Sequence, residues 1–298
     1  MGLAVSDKLD ASSSLAGCCS CLRQAVHNNC THLVLGGRTL PESDLPASKR
    51  CTECEHHPRP PWRYLADRSA WLEPPGGQLR SNLLSLVARA RCVTSLHLQP
   101  QLSWLGLPEV LSAGGPSLAA RLTKLTLSGR DDLSDLSPLT AAKLVHLTHL
   151  DLSHCHAVKD LTPLASCTSI QTLSLCDCVQ LRDQDLSPLA DLASSLRDLS
   201  LCGCMLLEEV QPLSHCTSLE KLSLARCWCL TYVEHLSPCT RLTWLDLDMS
   251  PNPGRLGDLS GLSTLVKLQT LRLRSLSHFQ DLSALQTCTA LQVRRHCI

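Results

Sequence analysis

Aromatic residues are scarce in this chain: one Phe, two Tyr and five Trp in 298 residues. An interior built almost without them must come from Leu, Val, Ala and Cys, and so uniform a core suits a stack of similar layers better than the two compact units that length alone favours. Surplus charge is missing as well. Lys plus Arg and Asp plus Glu both number 27, which leaves no excess of positive charge to meet a nucleic-acid backbone or an anionic membrane surface. Nucleic acid is therefore not an expected partner. No apolar run comes near the ~20 residues that span a bilayer, and the opening MGLAVSDKLD carries charge where a signal peptide would be hydrophobic. These absences point to a soluble protein of the cytoplasm, with the nucleus as an alternative. The sequence also lacks G-x-S-x-G, H-E-x-x-H, G-x-x-x-x-G-K-S/T and G-x-G-x-x-G. Asp246-x-Asp248 starts like an EF-hand loop, but Pro251 stands where that loop needs Gly. Neither an enzyme nor a cofactor is expected.

What is present is repetition. The pattern L-x-x-L-x-L recurs as VTSLHL (93–98), LTKLTL (122–127), LTHLDL (147–152), IQTLSL (170–175), LRDLSL (196–201), LEKLSL (219–224), LTWLDL (242–247) and LQTLRL (268–273). Successive starts are 29, 25, 23, 26, 23, 23 and 26 residues apart. Alternation within each block turns its Leu residues to one side of a short strand and the intervening residues to the other. A Cys follows the last Leu by three residues in four blocks, at Cys155, Cys178, Cys204 and Cys227, and a second set, Cys167, Cys216, Cys239 and Cys288, stands three residues before the next block. The chain holds 19 Cys in all; recurring at fixed places with no export signal, they read as buried free thiols rather than disulfides.

Between the strands runs a second phrase: DLSPL (135–139), DLTPL (160–164), DLSPL (185–189), VQPL (210–213), HLSPC (235–239), DLSGL (258–262) and DLSAL (281–285). Ser or Thr can cap a helix start and Pro fits the first helical position, so each repeat is expected to return through a short helical turn. Together the two phrases resemble the Cys-containing leucine-rich repeats of F-box/LRR proteins, and DLSPL also resembles internalin-type repeats. The resemblance implies an α/β leucine-rich-repeat solenoid, with a curved parallel sheet on its concave side and short helices or 3-10 turns on its convex side. The final LQVRRHCI (291–298) puts Arg294 where a strand Leu belongs, so the last layer is degenerate or covered by a partner.

Three regions follow: a helical segment over 1–29, a strand-like start with a Pro/Gly-rich exposed insertion over 30–81, and the solenoid over 82–298. Leu15, Cys18, Cys19, Leu22, Ala25 and Val26 recur at helical spacing before a strand-like Thr31–Leu35. That run resembles the last helix of an F-box, without the Leu-Pro opening that family carries. The resemblance implies a substrate-recognition subunit of an SCF-type ubiquitin ligase, with the Skp1 adaptor and cullin as partners. Two other readings stand beside it. Gly2 fits the M-G-x-x-x-S/T acylation pattern, with Cys18, Cys19 and Cys21 as further lipid acceptors, which would make the chain a membrane-anchored scaffold. Alternatively Cys18, Cys21, Cys30, His32, Cys51 and Cys54 have spacings at which thiolate pairs hold tetrahedral zinc, giving a degenerate ligase module.

Binding then falls to the outward strand positions. Trp and Arg are the commonest interface hot spots, so Trp244 with Lys221, Asp246 and Arg272 is the patch expected to meet a protein partner, with His149, Asp151, Arg197 and Asp198 farther along the face. Trp228, just past a strand, either extends that patch to the rim or packs on the adjacent turn.

Overall fold

The computed structural model describes residues 3–4, 32–35, 78–90, 92–103, 105–248, 259–273 and 282–292. Each L-x-x-L-x-L block forms a three- or four-residue strand, and the strands stack in chain order into one parallel sheet: β1 (Leu3–Ala4), β2 (His32–Leu35), β3 (Ser95–Leu98), β4 (Lys124–Thr126), β5 (His149–Asp151), β6 (Thr172–Ser174), β7 (Asp198–Ser200), β8 (Lys221–Ser223), β9 (Trp244–Asp246) and β10 (Thr270–Arg272). Register is fixed by the leucines. Leu125, Leu150, Leu173, Leu199, Leu222, Leu245 and Leu271 align strand to strand. A slip of one residue would turn a buried Leu row into solvent, at a cost of ~1.5–3 kcal/mol for each side chain. The expected leucine-rich-repeat solenoid is the fold.

The convex side is filled by helices in the first two steps and by 3-10 turns afterwards. The 29-residue step holds helix α2 (Leu107–Ala119), kinked at Gly115 and Pro116; the 25-residue step holds α3 (Ser137–Ala142). Steps of 23 residues carry short 3-10 turns at Thr162–Ser166, Gln211–His215 and Glu234–Leu236, and the 26-residue step from Ile170 carries a longer one at Asp183–Leu192. Capping differs from expectation in one respect. Leu136 and Leu161 occupy the N-cap positions, and the acceptor is the Asp of the phrase: Asp135 takes the Ser137 N–H at 2.7 Å and Asp160 the Thr162 N–H at 2.8 Å. Ser and Thr begin the turn instead of capping it, because Asp two residues earlier already satisfies their free N–H. Helix α1 (Gln78–Arg89), which straddles the expected start of the solenoid at residue 82, packs on α2 at the first repeats, where Arg80 pairs with Glu109 at 2.9 Å.

Both cysteine sets line the core as hydrogen-bonded thiols. Cys155, Cys178, Cys204 and Cys227 are buried, and each Sγ–H donates to a carbonyl of the preceding repeat: Leu127 at 3.2 Å, Leu152 at 3.3 Å, Leu175 at 3.2 Å and Leu201 at 3.2 Å. On the convex side Cys216, Cys239 and Cys288 do the same toward Leu189, Leu213 and Leu262 at 3.5, 3.3 and 3.4 Å. Those carbonyls lie beyond the strand ladder, where a buried acceptor needs a donor. Burial pushes the Cys155 and Cys227 thiols up to about 12, so they stay protonated and keep donating.

Two residues past the last strand Leu the backbone turns left-handed in every central repeat: Gly129 (φ 78°), His154 (60°), Asp177 (55°), Gly203 (75°) and Arg226 (59°). The N–H of each donates to the next repeat, for example Asp177 N–H to Cys202 O at 2.6 Å and Gly203 N–H to Ala225 O at 2.7 Å. That bond extends the ladder round the turn and holds three non-glycine residues in a conformation they otherwise avoid.

Candidate functional site

The sheet places the side chains between its leucines in columns, and Ser174, Ser200, Ser223 and the expected binding residue Asp246 are buried there. Lys124, His149, Thr172, Asp198, Lys221, Trp244 and Thr270 share one register position, and Thr126, Asp151, Ser174, Ser200, Ser223, Asp246 and Arg272 share the one two residues on. Of the expected binding residues, the structure brings Trp244, Asp246 and Arg272 together. The Arg272 guanidinium lies over the Trp244 ring, 5.7 Å from its centroid, with one nitrogen 3.7 Å from Asp246 Oδ2. Arg272 thus supplies part of the cover that the sequence alone would ask of a partner for Trp244. Lys221 neighbours Trp244 in register and is exposed.

The remaining residues are spread out. His149 and Asp151 sit on β5, with the Thr172/Ser174 and Asp198/Ser200 rows between them and β8. Burial, then Lys124, lowers the His149 pKa against the pull of Asp198, which favours the uncharged ring. Asp151 and Asp246 each spend one oxygen on a turn, accepting the N–H of Ser153 and Asp248 at 2.9 Å. Arg197, one residue before β7, pairs with Glu220, one residue before β8, at 2.8 Å. Of the proposed zinc set, His32 belongs to β2, while Cys18, Cys21, Cys30, Cys51 and Cys54 lie outside the described residues, as do Gly2 and Cys19. Among the described residues no group of three or more His, Cys, Asp or Glu is arranged to hold a metal ion, and no helix is long and apolar enough to cross a membrane.

Two groups are visible only when the repeats are stacked. The first follows the left-handed column along the rim. Asp177 Oδ2 lies 3.1 Å from His154 Nδ1, and Arg226 reaches both Asp177 oxygens at 3.2 Å from two repeats away. Gly203 stands between them; a Cβ there would overlap Asp177 Oδ1 and come within 3.0 Å of its Cγ, so only Gly lets the arginine pass. Burial resists ionisation of Asp177, but the His154 hydrogen bond and the Arg226 charge outweigh it and hold the carboxyl below its ordinary range.

The second group lies on the flank beyond that rim. Met205 and Trp228 each follow the last strand Leu of adjacent repeats by four residues and so hold the same turn position in neighbouring repeats; Leu206 follows Met205, and Tyr232 lies four residues past Trp228. Trp228 and Tyr232 are 50% exposed, Met205 and Leu206 38%. Three exposed glutamates, Glu208, Glu209 and Glu234, stand in the same two repeats. Thr231 and Tyr232 donate backbone N–H to Glu208 O, while Glu209 and Glu234 lie 3.9 and 3.8 Å from the same His235 nitrogen. Trp228 therefore faces solvent and does not pack away on its turn. Aligning the repeats on the last strand Leu, then reading the column four residues on, would have found the patch; reading strand positions alone does not.

Fold and surface together define a leucine-rich-repeat solenoid with a mixed-charge concave face and an apolar flank. Among solved structures it resembles an internalin (inlF) from Listeria monocytogenes, with 24% identity and a TM-score of 0.51 over 70% of this chain and 55% of that one. Internalin C2 from Listeria monocytogenes gives 22% identity and a TM-score of 0.46, covering 70% of this chain and 72% of that one. The leucine-rich repeat-containing protein LegL7 from Legionella pneumophila gives 16% and 0.44, covering 73% and 79%. The chain thus spans about half the length of the first of these, and the likeness is one of fold. No protein-family model and no curated protein matches the chain.

Proposed function

We propose that the chain is a non-catalytic protein-binding module whose partner docks across the edge where the strands end, from Lys221, Trp244 and Arg272 on the concave face over the rim to Met205, Leu206, Trp228 and Tyr232 on the flank. The observation that carries this reading is the flank. Of the seven large hydrophobic side chains that are exposed among the described residues, four fall in these two adjacent repeats. Scattered exposed hydrophobes need no explanation, whereas a cluster of Trp, Tyr, Met and Leu in one place is what an interface core is made of. Glu208, Glu209 and Glu234 in the same two repeats fit a segment with an apolar face and flanking Lys or Arg.

The test is site-directed photo-crosslinking. A photoreactive amino acid is placed at Tyr232, at Lys221, or at the exposed convex residue Gln211, in the full chain expressed in its own cell type. The same polypeptide is expected from the first two positions and not from the third. Adducts from Gln211 alone, or unrelated adducts from Tyr232 and Lys221, would overturn the reading. Once that polypeptide is in hand, W228A is expected to weaken it by the ~10-fold or more typical of a buried aromatic anchor.

A second reading, favoured by the F-box-like run from Leu15 to Val26, makes the module the substrate-recognition subunit of an SCF-type ligase in the cytoplasm. Free cysteines throughout the described residues suit that reducing compartment. The Skp1 adaptor and cullin should co-purify with the full chain and be lost when residues 12–29 are deleted; a complex without either protein removes the ligase role and leaves the binding role intact.

A further inference from the structure

Beside the rim ions lies a pair of thiols that the binding role does not use. Cys176 and Cys202 each come one residue after the last strand Leu of adjacent repeats, and they extend the register set by Ser174 and Ser200. Neighbouring strands run ~4.8 Å apart, inside the ~4.4–6.8 Å between Cα atoms that a disulfide bridges. Both continue the rows of Ser174 and Ser200: Cys176 Sγ is 2.9 Å from Ser200 Oγ and 3.4 Å from Ser174 Oγ, and Arg226 Nη2 is 3.4 Å from Cys202 Sγ. Ser200 Oγ thus stands against Cys176 Sγ from the strand that leads into Cys202. Unlike the core cysteines, both are partly exposed.

We propose that Cys176 and Cys202 form a dithiol modification site that closes to an inter-repeat disulfide by exchange with a low-molecular-weight disulfide. Cys202, once deprotonated, attacks one sulfur of the small disulfide with the Arg226 guanidinium beside its sulfur; that S–S bond breaks, one half leaves as a thiolate and takes up the proton Cys202 has shed, and a mixed disulfide remains. The Cys176 sulfur then attacks the Cys202 sulfur, gives up its own proton, and expels the second half as a thiol. The protein pair loses two electrons and two protons, and the small disulfide is reduced to two thiols. Contact with Cys176 and burial push the Cys202 thiol up while Arg226 opposes them, so exchange quickens as the pH rises. The core thiols, buried and donating to carbonyls, take no part.

The full chain is incubated with oxidised and reduced glutathione at graded ratios, quenched in acid, alkylated after denaturation, and mapped by peptide fragmentation. Expected are a Cys176–Cys202 cross-link, two fewer alkylatable thiols, and full alkylation of Cys155, Cys178, Cys204 and Cys227. C176S should stop at a mixed disulfide on Cys202, and R226Q should slow its formation by ~10-fold, about the size of one lost charge-assisted hydrogen bond to the attacking sulfur. Separate glutathione adducts on the two cysteines with no cross-link, pairing of either with a third cysteine, or two free thiols under oxidising ratios would each overturn the proposal. Wild-type mapping decides the question even if a variant fails to fold.

Discussion

Gly203→Ala tests how the rim is held. Two costs add. Alanine at φ 75° is strained, though His154, Asp177 and Arg226 hold the same turn with full side chains, so this part is ~1 kcal/mol. The larger part is steric: the new Cβ overlaps Asp177 Oδ1 and displaces the carboxylate that binds both His154 and Arg226. Arg226 is 41% exposed, which trims that loss to ~1–2 kcal/mol. G203A should therefore lower stability by ~2–3 kcal/mol, read from urea unfolding followed by circular dichroism. The decisive measurement is the same substitution in D177A. With the carboxylate gone, the nearest remaining neighbour is Arg226 Nη2 at 3.5 Å, an ordinary contact, and G203A should cost only its ~1 kcal/mol of strain. If the two substitutions add to within ~0.5 kcal/mol, no steric coupling exists and the account of the rim is wrong.

Asp183 gathers the backbone N–H groups of Glu208, Glu209 and Val210 at 3.0–3.2 Å, so D183A should cost ~2–4 kcal/mol in the same assay, with D183N in between. C178A leaves the Leu152 carbonyl without its thiol donor and opens a small void, for ~1–2 kcal/mol; a neutral result would reduce the cysteine column to filler. Because the folded pKa of Asp177 lies below its unfolded value, its contribution is fully present above ~4 and is lost as the pH falls through the folded value. Urea midpoints taken between about pH 6 and 3 should fall less steeply in D177N than in the parent, and only in part, since Asp135 and Asp160 are depressed in the same window.

The layered fold was legible because each repeat states it twice: in the period-two leucines of the strand, and in the D-L-S/T phrase that starts the convex turn. The longest step, of 29 residues, holds the longest helix, α2, but step length does not otherwise choose the element: the 25-residue step is helical and the 26-residue step from Ile170 is a 3-10 turn. The caps misled because DLSPL offers two capping side chains, and which one acts depends on whether the chain is already helical at Ser or only two residues after Asp. Propensity does not choose between them; the buried Leu136 and Leu139 do, by fixing where the turn begins.

The candidate surface was legible only where it follows strand alternation. That rule found Trp244 and Arg272 but said nothing of their stacking on each other, since the contact depends on two side chains leaning along neighbouring strands. Past the last strand Leu alternation ends, and position in the turn takes over: one residue on continues the row of Ser174 and Ser200, two on is left-handed, three on is the buried Cys, four on faces the flank. Every grouping the sequence hid, namely the Cys176–Cys202 thiols, the His154–Asp177–Arg226 ions and the Met205–Trp228 patch, joins residues 23 to 49 apart at matching turn positions. In a solenoid such turn columns are as regular as strand columns, because the same hydrogen bond to the next repeat is made at each turn. Substituting one member of a turn column should therefore be felt in the repeats beside it, while repeats farther away keep their geometry.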